Sequence, residues 1–81
     1  MTTYITIPLD DLDAFRRTYF VTTSEEIQSE VILNDIETHC IVGSSRITNN
    51  QIAVLQEKYP EVQFSQQIPS FFNFKEYTTD V

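Results

Sequence analysis

The sequence predicts an α+β domain. Short runs rich in β-branched residues alternate apolar and polar positions, the period of a half-buried strand. Between them lie two longer stretches whose apolar residues recur at helical spacing. At 81 residues the chain has material for one domain, which buries roughly 60–65% of the surface its unfolded form exposes.

The elements follow in order. Tyr4-Ile5-Thr6-Ile7 reads as a strand stopped by Pro8. From Leu9 to Tyr19, the residues Leu9, Leu12, Phe15 and Tyr19 form one stripe of a helix. Its first turns carry Asp10, Asp11 and Asp13, and Arg16 and Arg17 stand near its expected end, which suits the helix dipole. Phe20 to Glu25 has no clear period and reads as a connection. Residues 27–33 and 36–42 alternate with period two, so Asn34-Asp35 predicts a two-residue hairpin turn. A helix begun by Ser24-Glu25-Glu26 is the rival reading, disfavoured by Val31-Ile32-Leu33. Gly43-Ser44-Ser45-Arg46 reads as a loop. Thr48 and Gln51 form a capping box that opens a second helix, with Ile52, Leu55 and Tyr59 on its buried face and Pro60 at its end. Val62, Phe64 and Ile68 mark a last strand, which Pro69 breaks.

Strand, helix, strand, strand, helix, strand is the split βαβ order of ferredoxin-like domains: an antiparallel sheet with two helices on one face. The expected domain spans residues 1–68. Residues 69–81 are an aromatic-rich tail or an extra edge strand. The fold class hosts many unrelated activities and selects none.

Composition narrows the function. Six Phe and four Tyr, within an apolar fraction of 41%, supply large pieces to bury and argue against disorder. The single Cys, Cys40, makes no internal disulfide, and a reducing, cytoplasmic setting is expected. The N-terminus lacks the basic start and apolar run of a signal peptide, and no stretch approaches the ~20 apolar residues of a membrane span. The net charge of −7, with Arg16, Arg17, Arg46, Lys58 and Lys75 scattered, excludes direct binding to nucleic acid or to an anionic membrane. It favours a basic protein partner, although solubility alone also accounts for charge of this size.

Candidate sites are few. His39 and Cys40, adjacent on a strand, point to opposite faces and make no catalytic pair. If Leu33 pairs with Ile36, Glu30 stands opposite His39 as a cross-strand ion pair. One His and two carboxylates fall short of a metal site, and no cofactor motif is present. Gly43, Ser44, Ser45 and Arg46, just before a helix, have the donors to hold a small anion. Phe71, Phe72, Phe74 and Tyr77 crowd the tail, either folding back on the core or docking on a partner or a second copy. No nucleophile stands beside a base, so an enzyme is not expected.

In outline, a short, acidic, motif-poor chain resembles the small inhibitors of phages and other mobile elements, such as anti-CRISPR proteins. The resemblance rests on no residue pattern and carries over no site. It implies a non-enzymatic module that blocks a basic, nucleic-acid-handling protein by mimicking its ligand's charge. The expected partner surface is Asp10, Asp11, Asp13, Glu25, Glu26, Glu30 and Glu37, with the tail aromatics. The alternative is a homodimeric or larger structural module, or one that binds a small anion.

Overall fold

The computed structural model describes residues 2–27 and 32–70. Its four strands are β1 (Thr3–Pro8), β2 (Ile32–Leu33), β3 (His39–Ser44) and β4 (Gln63–Ser65). Its helices are α1 (Leu12–Thr23), entered through a 3₁₀ turn at Leu9–Asp11, and α2 (Asn49–Lys58). The sheet order is β2-β3-β1-β4, every pair antiparallel, so the ferredoxin-like expectation holds. Glu30 and the tail residues Phe71, Phe72, Phe74 and Tyr77 lie outside the described residues.

The core forms where the strand period meets the helix period. Ile5 and Ile7 of β1 and Cys40 and Val42 of β3 point to one face. Phe15 and Tyr19 of α1, Leu55 of α2, and Val62 close over them. Phe15 sits at the centre: its ring meets Tyr59 edge-on at 5.4 Å and also packs on Tyr19 and Phe64. Both helices therefore cover the same face. Thr6 and Ile41, on the opposite face, are buried as well.

α2 starts as its sequence requires. Thr48 Oγ1 accepts from Gln51 N at 3.2 Å, and Gln51 Oε1 accepts from Thr48 N at 2.9 Å. α1 runs longer than its apolar stripe suggests, through residues read as a connection. Thr23 is its last residue, and its hydroxyl, which would otherwise compete for the backbone, donates to the Tyr19 carbonyl at 2.8 Å. Ser24 then ends the helix in the left-handed conformation at φ 62°, its N–H bonded to the Phe20 carbonyl. Arg16 and Arg17 consequently lie in mid-helix, and no base occupies the last turn. No side-chain cap bond forms at the start of α1, so the Asp cluster acts there by charge alone.

The hairpin departs from the expected turn. Leu33 pairs with Cys40, not with Ile36, and His39 stands opposite Asn34. The expected pairing of His39 with position 30 is therefore overturned. The cause is Asn34, whose Oδ1 accepts from Thr38 N and His39 N at 2.8 and 3.0 Å. Its Nδ2 donates to Thr38 Oγ1 at 2.9 Å. The Glu37 N–H bonds to the Asn34 carbonyl, and Glu37 takes φ 55°. A turn with a left-handed residue thus replaces the two-residue bend. Ile36 and Thr38 sit in this loop and do not share the core face of Cys40 and Val42.

Candidate functional site: an acidic pole and an arginine groove

The topology sorts the charges. β1 ends at Pro8 opposite His39, the first residue of β3, and Leu9 N–H bonds to the Thr38 carbonyl. At this end the β1–α1 junction carries Asp10, Asp11 and Asp13. The β2–β3 loop adds Asp35 and Glu37. α2 runs back to the same end, so Glu57 near its last turn and Glu61 before β4 join them. Apart from Asp11, these carboxylate residues are all exposed. Among the described residues, Lys58 and His39 are the basic side chains at this pole.

Glu25 and Glu26 lie elsewhere. They follow α1, which carries the chain ~18 Å away at 1.5 Å per residue. The acidic partner set read from the sequence is thus divided between the two ends of the domain.

The opposite end is closed by two contacts. Tyr19 Oη and Ser44 Oγ share a buried hydrogen bond of 2.8 Å. Arg46 Nη1 donates to Glu25 Oε1 at 3.1 Å in an exposed ion pair. Between them lies a cavity of about 270 Å³, lined by Ile5, Tyr19, Ile27 and Val42 and rimmed by Glu25, Glu26 and Arg46.

The four residues read as an anion loop line this cavity, and two of their side chains, Ser44 and Arg46, are already engaged. Gly43 and Ser44 belong to β3, paired with Tyr4 and Thr3, so the loop begins only at Ser45. Gly43 does not use positive φ. It answers a close approach: a Cβ there would meet Thr2 Cγ2 at 3.1 Å. The Ser44 hydroxyl is held by Tyr19, and the Arg46 guanidinium by Glu25. With two carboxylates on the rim, the charge balance disfavours an anion.

A second concavity, of about 560 Å³, runs along the outer side of α1. Phe20, Val21 and Ile27 supply its apolar surface; Arg16, Arg17 and Glu26 flank it. Phe20 is 49% exposed and Val21 81%. The sequence reading placed neither at a site. The available signal was Tyr19-Phe20-Val21, three consecutive apolar residues, more than one helical stripe can bury.

Cys40 is buried, and desolvation raises its thiol above the ordinary range against the opposing charge of Arg16. Among the described residues no cluster of His, Cys, Asp and Glu has the make-up of a metal site. No described helix is long and apolar enough to cross a membrane. Comparison of the chain with models of known families, with curated proteins and with solved structures finds no match.

Proposed function

We propose that the chain is a non-enzymatic, acidic protein-binding module. Its carboxylate pole occupies a basic surface of a nucleic-acid-handling protein and blocks that protein's substrate. One observation supports this reading above the rest: three separate chain segments deliver exposed carboxylates to the same end of the sheet. Solubility requires only that charge be present, not that it be gathered at one pole. Gathered charge raises the rate of encounter with a surface of opposite sign and excludes partners of like sign.

The test is capture of the partner from native-host lysate, then surface-plasmon kinetics across a salt series. Reversing Asp10, Asp13 and Asp35 to Lys should slow association about tenfold or more at low salt, since such charges act mainly on the on-rate. Reversing Glu25 and Glu26 at the far end should change it far less. Binding indifferent to salt, or equal losses from both ends, would reject the acidic pole as the contact.

A further inference from the structure

The groove on α1 and the tip of the β2–β3 loop each present apolar surface flanked by charge, mainly basic at the groove and acidic at the tip. The loop tip is Asp35-Ile36-Glu37, an aliphatic side chain 70% exposed between two carboxylate residues. The groove is an apolar strip of Phe20, Val21 and Ile27 flanked by Arg16 and Arg17, with the single carboxylate of Glu26 at its edge, so its cationic groups outnumber its anionic one. Arg16 and Arg17 both line the groove, and a carboxylate is the group that a guanidinium pairs with most strongly. The chain's own Ile36 does not fill its own groove: it remains exposed and is not among the groove's lining residues.

We propose that this groove is a self-association site, and that its occupant is the Asp35-Ile36-Glu37 tip of a second copy. Ile36 inserts against Phe20 and Val21 while Arg16 and Arg17 meet the flanking acidic side chains. Each copy carries both halves of the contact. Two copies either exchange tips reciprocally in a closed dimer or add head to tail in an open series. The contact needs no other protein and is read on the pure chain; Asp35 and Glu37 also belong to the acidic pole, so the variants that test the contact are placed at Ile36 and Val21, which leaves the carboxylates of the pole intact.

Light scattering across a concentration series is the measurement. The wild type should gain mass with concentration, and high salt should reverse the gain. Ile36→Asp removes the knob and Val21→Asp spoils the groove. Both positions are exposed, so circular dichroism should show the fold retained. Each variant alone should associate about tenfold or more weakly, as expected for a central anchor. Mixing them restores one intact contact, the Val21→Asp knob in the Ile36→Asp groove, and should return a dimer. A wild type that stays monomeric to about 1 mM would overturn the proposal. So would variants that associate like the wild type, or a mixture that fails to dimerise.

Discussion

The Tyr19 hydroxyl and the Ser44 hydroxyl lie 2.8 Å apart in the buried interior, pinning the second half of α1 to the last residue of β3. Each satisfies the other where water does not reach, so neither is expendable alone. Tyr19→Phe should cost about 1–2 kcal/mol, because it leaves Ser44 Oγ buried and unpaired. Ser44→Ala should cost a similar amount, and the double variant less than the sum of the two. Urea unfolding of the four proteins closes this cycle; strict additivity would mean that the bond contributes nothing.

Asn34 organises the hairpin through three side-chain hydrogen bonds, to Thr38 N, His39 N and Thr38 Oγ1. Asn34→Ala should destabilise the domain by about 2–3 kcal/mol, at ~1 kcal/mol for each typical bond. Amide exchange at Thr38 and His39 should quicken well beyond the global change. Asn34→Asp keeps the acceptor and should recover part of the loss.

Ser24 holds the left-handed conformation that ends α1, at φ 62°. A residue with a Cβ is strained there, and glycine is not. Ser24→Gly should therefore stabilise the protein by about 0.5–1 kcal/mol. In a domain of this size that is a rise of a few degrees in Tm. A lower Tm would show that the Ser24 side chain supplies something more than its backbone angle suggests.

Cys40 links stability to alkaline pH. Burial raises its pKa from the ordinary 9.0, so the folded thiol keeps its proton where the unfolded thiol loses it. Below that ordinary value both states are protonated and the folded state keeps its full stability. As pH rises above it the unfolded state binds fewer protons, and stability falls by at most about 1.4 kcal/mol per pH unit until the folded thiol also ionises. Cys40→Ala should lack this part of the slope. Guanidinium unfolding of both proteins from about pH 8 upward isolates the difference.

What was legible in the sequence was local. The Thr48–Gln51 box and the Leu12–Phe15–Tyr19 stripe need only neighbours three or four residues away, and both formed as read. The hairpin misled because alternation continued through Ile36-Glu37-Thr38, where no strand exists; the Asn34 side chain, not the period, set the register. The end of α1 was hidden by β-branched Thr22 and Thr23, ordinarily poor helix formers, although the Thr23 hydroxyl bonds back into the helix. The contact of Glu25 with Arg46 joins residues distant in sequence, and no local pattern foretells it. The sorting of charge into two ends is likewise a product of topology, visible only once the direction of each element is known.

β1 occupies an interior place in the sheet, with β3 on one side and β4 on the other. Ile5 pairs with Val42 and with Phe64, both tens of residues further along the chain. A ribosome therefore releases the first strand long before either neighbour exists. The nascent chain must wait for β4 before the sheet can close. Loops of that length are costly to shut, so refolding should proceed in milliseconds or slower rather than in the microseconds open to helical bundles. During that wait Ile5 and Ile7 are bare, and it is then, not in the finished domain, that the chain is most exposed to chaperones and to misassembly.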